Sequence, residues 1–567
     1  MLSDDDKRVT YFASTHTRGK RDMFGIRADD RGKHIYVIGK TGMGKSTMLE
    51  NMAIQDIQNG EGLAFIDPHG STAEKLLDFI PYDRINDVVY FAPFDTEYPI
   101  GFNVMEDVGY EKRHLVVSGL MGALKRIWVD AWSARMEYIL QNTLLALLEY
   151  PDSTLLDVNR MLIGSMKQNT FRQSVIEKIT DPVVKAFWEQ EFAAFTDTYT
   201  REATPAIQNK IGQFTSNPLI RNIVGQPLST FDLRKIMDEK KIFIVNLSKG
   251  RMGETNASLL GSMLTVKIYL AAMSRAGESA SRMAKLPRFY FYVDEFQSMM
   301  NEAFADILSE SRKYKLALTL ANQYIEQMEE KVRDAVFGNV GTLVVFRVGP
   351  FDAEVLKTVF EPTFTAEDLV ELGLGQIYLT LMIDGVGSPP FSAETIPPIE
   401  LPAVSYKNDV IVRSRAQYAQ PRAEVERVIA SRQEKFSFVT KSGKGGSVSA
   451  GKDRRKNNGG NPVALASQKQ EMVDNTNRTE KDRENLRAAI HAAQPVAVAK
   501  TERSPIEILR EKQAARAARE VQAASPTSQT LQAVDSMRSE KPKPEDSSSE
   551  ISPEMLRSVL GTDNATE

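Results

Sequence analysis

Short, unbroken apolar runs occur in two separate parts of this chain, with a long helical stretch between them. Residues 34–38, 63–67 and 88–91 form the first group; residues 241–247, 288–293, 316–320 and 342–348 form the second. Strands that are apolar throughout and separated by helical periodicity belong to a parallel sheet covered on both faces. The spacing predicts helices over 48–58 and 255–275. Residues 376–383 and 391–395, joined through Asp384-Gly385-Val386-Gly387, read as a closing hairpin.

Between the two groups the period changes to 3.6 residues, predicting helices over 113–128, 134–149, 155–163, 171–179, 182–194 and 201–214 with nothing strand-like among them. The expected organisation is an α/β domain of RecA-like type with a predominantly parallel sheet, made from residues 33–102 and 236–400. An all-helical domain, 103–235, is inserted into it. Residues 1–32 show little periodicity, and Phe24-Gly25-Ile26 reads as a short strand or loop ahead of the core. Residues 401–567 are expected to be a mostly disordered tail with helical pieces, because large apolar residues become too sparse to bury. That tail holds a basic cluster, Lys452, Arg454, Arg455 and Lys456, and a short amphipathic segment with Met555, Leu556, Val559 and Leu560 on one face.

Composition narrows the chemistry. The chain has 567 residues, long enough for several domains and a large core. It has no cysteine, which excludes disulfides, thiol catalysis and cysteine-ligated metal. Its five histidines are scattered and make no metal pattern. A net charge of −4 gives no global basic field, although a pore needs only local positive charge. The first residues are acidic and polar, unlike a signal peptide, and no run approaches the ~18 uncharged apolar residues of a membrane helix. The chain reads as soluble and cytoplasmic.

The clearest chemical signal follows the first strand. Gly39-Lys40-Thr41-Gly42-Met43-Gly44-Lys45-Ser46 satisfies every fixed position of the phosphate-loop pattern, with Thr47 next in the helix. The glycines allow backbone N–H groups to turn inward around a polyphosphate, and the helix beginning near Gly44 points its positive end at the same anion. Lys45 is placed for the outer phosphates of ATP, and the Ser46 hydroxyl for Mg2+. An aromatic strand then ends in Asp294-Glu295. Asp294 is suited to complete the Mg2+ shell opposite Ser46, and Glu295 to orient and deprotonate the attacking water. Gln323, closing the next strand, can touch the γ-phosphate or the water. Arg312 and Arg347 are candidates for a positive charge acting on the γ-phosphate, in trans from a neighbouring subunit; each is equally readable as a salt-bridge residue. Lys249 and Arg251 could face nucleotide or a neighbour, and the roles of Asp67 and His69 are open.

In order, GKTGMGKS, FIDPHG, IVNLSKGRMGE, FYVDEFQ, SRKYKLALTLANQ and GNVGTLVVFRV make the chain resemble the HerA/FtsK-type ATPases, most of all the TraG/TraD-like coupling ATPases of conjugative type IV secretion, over roughly residues 20–400. The resemblance implies a RecA-like fold, a hexameric ring with ATP between subunits, and DNA, gripped by its backbone and expected to be single-stranded, pumped through a central pore. It matches Lys45 and Ser46 to the phosphate-loop pair, Asp294 and Glu295 to the Walker B acids, and Gln323 to the sensor glutamine. Coupling proteins of this kind usually carry N-terminal membrane helices, absent from this sequence, which points to recruitment to the inner face of the membrane by a secretion-channel partner. A relaxase-type cargo is implied by the same resemblance. The rival readings are a secretion ATPase for pilus assembly or protein export, a HerA-like cytosolic repair motor, and a nucleotide-gated scaffold, against which Glu295 argues.

Overall fold

The computed structural model describes residues 7–17, 20–164, 169–300 and 303–437. Among them, thirteen strands are seen: β1 Val9–Thr17, β2 Lys20–Arg27, β3 Ile35–Ile38, β4 Gly62–Asp67, β5 Val88–Phe91, β6 Ile242–Asn246, β7 Phe289–Val293, β8 Leu316–Asn322, β9 Thr342–Val345, β10 Gln376–Thr380, β11 Met382–Ile383, β12 Val386–Gly387 and β13 Phe391–Thr395. Eleven make one sheet, in the order β2-β1-β13-β10-β9-β3-β8-β7-β4-β6-β5. From β9 to β5 every pairing is parallel, as continuous apolar runs require. β10, β13, β1 and β2 extend that sheet antiparallel.

Alternation along each strand sends neighbours to opposite layers. Ile35 and Val37 join Met48, Leu49 and Met52 of the helix Lys45–Gln58 on one face. Tyr36 and Ile38 join the core that continues into the helices between β5 and β6 on the other. There the helices Arg113–Ile127 and Glu254–Met273 approach closely at Gly119, where a Cβ would stand 2.4 Å from Val266. The stretch Glu254–Gly277 is long and apolar enough to cross a bilayer, but 72% of its most apolar window is buried inside the protein, so it reads as a core helix.

Two expectations are corrected and one is extended. The strand read at Phe24-Gly25-Ile26 is part of β2, which pairs antiparallel with β1 on the sheet, with Phe12, Phe24 and Ile26 buried. A register shift between Tyr11 and Ala13 breaks the alternation that would have revealed β1. The single helix expected over 201–214 is two, Asp197–Ala203 and Pro205–Thr215, because Pro205 starts a helix and cannot continue one. Residues 401–437 are also not all tail. The helix Lys407–Tyr418 lies along edge strand β5, burying Val410 and Ser414, whose hydroxyl accepts from the Tyr90 N–H at 2.9 Å. Covering an edge strand needs few apolar contacts. The next helix, Arg422–Ser437, buries Val425 and Ile429. The expectations for 438–567, including the basic cluster and the terminal amphipathic segment, lie outside the described residues.

His34, at the amino-terminal end of β3, is buried, with Nδ1 accepting from the Leu318 N–H at 3.2 Å and Nε2 facing Ser311 Oγ at 3.3 Å. Burial pushes its imidazole down to about 4, and the charge of Arg312 adds to the effect. The unfolded chain takes up this proton near pH 6.5, well before the folded one. Acid therefore favours unfolding, and stability falls as pH drops from 6.5 towards 4, by up to about 3 kcal/mol from this group. His34→Asn keeps an acceptor and tolerates the φ of 65° found here. Urea unfolding at several pH values across this window should give a flatter slope for the variant; equal slopes would remove His34 as the source.

Candidate active site

The carboxyl ends of β3, β4, β6, β7 and β8 lie along one edge of the sheet, and the functional side chains are carried just beyond them. Beyond β3 the phosphate loop turns through Gly39, Gly42 and Gly44, all at positive φ, before Lys45 begins its helix. Gly39 is pinned from both sides: its N–H donates to the Asn322 carbonyl at 3.3 Å, and the next N–H, of Lys40, to the Arg347 carbonyl at 2.8 Å. A Cβ on Gly39 would come within 2.5 Å of Phe346, so only glycine fits. Lys45 is buried, its ammonium donating to the carbonyls of Gly39 and Lys40 at 2.6 and 3.1 Å. Burial lowers its pKa, opposed by the charges of Asp294 and Glu295.

Beyond β7 the two acids face this loop. The Ser46 hydroxyl donates to Asp294 Oδ2 at 2.7 Å, so the two oxygens expected to share a cation are adjacent. Burial raises the Asp294 pKa, against the lowering effect of that hydrogen bond. A buried acid beside a hydroxyl and a phosphate-binding turn is a donor set that suits Mg2+. Glu295 Oε1 accepts from Gln323 Nε2 at 2.6 Å, and Gln323 Oε1 accepts from the Thr41 hydroxyl at 3.0 Å. One chain of contacts thus joins the phosphate loop, the end of β8 and the end of β7. Burial works to raise the Glu295 pKa, but bonds from His69 and Lys249 outweigh it and hold the carboxyl below its ordinary value.

A cavity of about 300 Å3 lies here, lined by Thr41, Lys45, Ser46, Asp294, Glu295 and Gln323 among others. Cavities of about 600 and 710 Å3 lie elsewhere, without phosphate-loop residues in their walls. Size does not decide the matter, since the anion-binding backbone and paired acids are at the smaller one.

The remaining candidates fall at different places. Arg312 is exposed before the start of β8, at the edge of the sheet opposite the phosphate loop. Arg347 is half-buried beside the loop, touching it through its carbonyl. Neither lines the cavity. Arg251 stacks over Phe94 at 4.4 Å and pairs with Glu74. Asp67 is buried and binds the main-chain N–H groups of His69 and Ala73 at 2.8 and 2.9 Å, which shapes the turn after β4. Leu374 lines the cavity and had no signal in the sequence, lying between two glycines far along the chain.

A doubly covered, mostly parallel sheet with this loop and these acids defines a phosphate-loop NTPase of RecA-like fold. Residues 25–358 match the family model of the type IV secretion-system coupling protein DNA-binding domain, and the chain belongs to that family. Among solved structures it is similar to the bacterial conjugative coupling protein TrwBdeltaN70, trigonal form with sulphate, at 14% identity and a TM-score of 0.50, covering 70% of this chain and 91% of that one. It is similar also to the plasmid coupling protein TrwB with ADP and Mg2+ (14% identity, TM-score 0.49, covering 72% and 92%). VirB4 of Thermoanaerobacter pseudethanolicus matches at 13% identity and a TM-score of 0.44, covering 71% and 98%. At such identities the likeness concerns the fold. No curated protein matches the chain significantly.

Proposed function

We propose that this protein is an ATP-driven DNA translocase of the coupling-protein type, working as a ring, expected to be a hexamer, that moves DNA through its centre. The observation that carries the ATPase half is the convergence of Ser46 on Asp294, and of Gln323, itself held by the Thr41 hydroxyl, on Glu295 at the phosphate loop. Family membership in a coupling-protein DNA-binding domain supports the DNA half.

In this reading the loop N–H groups and Lys45 hold the phosphates of ATP. Ser46 and Asp294 would hold Mg2+, whose charge offsets that of the phosphate oxygens. Glu295 takes the proton of a water whose oxygen attacks the γ-phosphorus as the bond to ADP breaks. Gln323, bonded to both Glu295 and Thr41, links the state of the γ-phosphate to the strand β8. Arg312 or Arg347 of a neighbouring copy supplies the remaining positive charge. DNA is gripped through its phosphates, with the protein on the cytoplasmic side of a membrane channel and a relaxase-type cargo as a further partner.

The test is the ATPase rate with and without single- and double-stranded DNA at two salt concentrations. Stimulation that weakens with salt is expected. No stimulation by either form would overturn the DNA half and favour a protein-export ATPase.

A further inference from the structure

We propose that Lys249 and His69 are positioning residues that aim the Glu295 carboxylate at the attacking water; this rests on the reading of Glu295 as the base. Glu295 sits at a φ of 45°, where a residue with a side chain is disfavoured, so surrounding contacts must hold it there. The Ser298 N–H and hydroxyl both donate to the Glu295 carbonyl at 2.8 Å and the Glu295 N–H donates to Asp294 Oδ1 at 2.9 Å, which holds the backbone, while three donors hold the carboxylate. Oε1 accepts from His69 Nε2 at 2.7 Å and from Gln323 Nε2 at 2.6 Å, and Oε2 accepts from Lys249 Nζ at 3.0 Å. A carboxylate has about four acceptor sites, so one is left, on Oε2. With rotation of the carboxylate fixed by three donors, that last site faces one direction.

The donors are themselves braced. Lys249 follows Ser248, which is also left-handed at a φ of 35°, and the Lys249 N–H donates to the Pro68 carbonyl at 2.8 Å. The Leu247 N–H donates to the Asp67 carbonyl at 3.0 Å, and the Asp67 carboxylate holds the His69 N–H. The turns after β4 and β6 are therefore laced together, and both donors ride on the joined pair. Lys249 does not line the cavity at the phosphate loop, so its route to the chemistry is through Glu295; His69 does line it, and for His69 the Kd measurement separates aiming of Glu295 from direct contact with nucleotide. Both side chains are partly solvent-exposed, at 35% for Lys249 and 46% for His69, and neither supports the core.

The experiment uses the full chain with Lys249→Met, Lys249→Arg, His69→Ala and His69→Gln, and Glu295→Gln alongside. Steady-state kcat and KM for ATP are measured together with the Kd for a fluorescent ATP analogue. Lys249→Met should lower kcat by about ten- to hundredfold with KM and Kd nearly unchanged, because only the aim of the base is lost. His69→Ala should lower kcat less, since Gln323 still binds Oε1. Lys249→Arg and His69→Gln, which can still donate, should recover most of the rate, a rescue that a structural role would not show. Unchanged kcat in both Lys249→Met and His69→Ala, with Glu295→Gln inactive, would overturn this inference alone. A rise in KM and Kd matching the loss of kcat would make Lys249 a nucleotide ligand instead. Full activity of Glu295→Gln would overturn the reading of the base itself, and this inference with it.

Discussion

Glu295→Gln is expected to lower the steady-state ATPase rate by at least about a hundredfold, the usual contribution of a positioned general base. Nucleotide binding should survive, because the phosphate loop and the Ser46–Asp294 pair do not depend on this carboxylate. The isosteric amide keeps one acceptor oxygen but turns its NH2 towards one of the three donors and cannot take a proton, so lost chemistry and lost contact both enter the rate. Rate and fluorescent-nucleotide affinity, measured on the same preparation, separate loss of turnover from loss of binding. A variant that turns over ATP at the parental rate would remove Glu295 from the reaction and leave a nucleotide-binding protein without an identified base.

The largest stability effect should come from a residue that never touches the nucleotide. Arg31 is fully buried, donating to both Asp56 oxygens at 2.7 and 2.9 Å, with its guanidinium 3.6 Å from the centre of the Tyr290 ring. It also donates to the Tyr292 hydroxyl at 2.6 Å, which in turn donates to Asp56 Oδ2, and to the Thr10 hydroxyl at 3.0 Å. Asp56 lies on the phosphate-loop helix and Tyr292 on β7, two residues before Asp294, so the network ties together the two elements that carry the site. Asp56→Ala leaves a buried, uncompensated cation, which costs about 3–5 kcal/mol. Removing both charges with Arg31→Met and Asp56→Leu should cost less than the single change, since no orphan charge remains. Urea unfolding of the three proteins checks this. A single variant as stable as the parent would mean that the pair is solvated and not buried.

The two cases show why some of the site was legible and some was not. The phosphate loop could be read directly, because each of its residues is required by local backbone geometry: glycines where φ is positive, a lysine and a hydroxyl at the helix start. Asp294 and Glu295 could be read because a buried strand leads into them. Six helices between β5 and β6 showed through their period, but Pro205 divided one. The α-helix begun at Pro182 gives way to π and 3-10 turns after Ala186, and the short helices Pro218–Val224 and Leu233–Asp238 carried too few turns to show. Strand β1 and its pairing with β2 did not show, because a bulge, three threonines and a serine obscured its alternation. Lys249 and His69 were visible only as polar residues after strands, and nothing local marks them as partners of a glutamate 46 residues from one of them.

The sequence alone determined the parallel sheet, the nucleotide loop and the two acids, since these depend on residue type and near neighbours along the chain. The tertiary structure decided which side chains meet: that β8 lies between β3 and β7, bringing Gln323 to Glu295, and that β4 and β6 lie side by side, bringing His69 and Lys249 to the same carboxylate. Strand order is set by how whole faces pack and how crossovers run, energies summed over many distant residues. No window of the chain contains that sum, so the order appears only once the sheet is assembled.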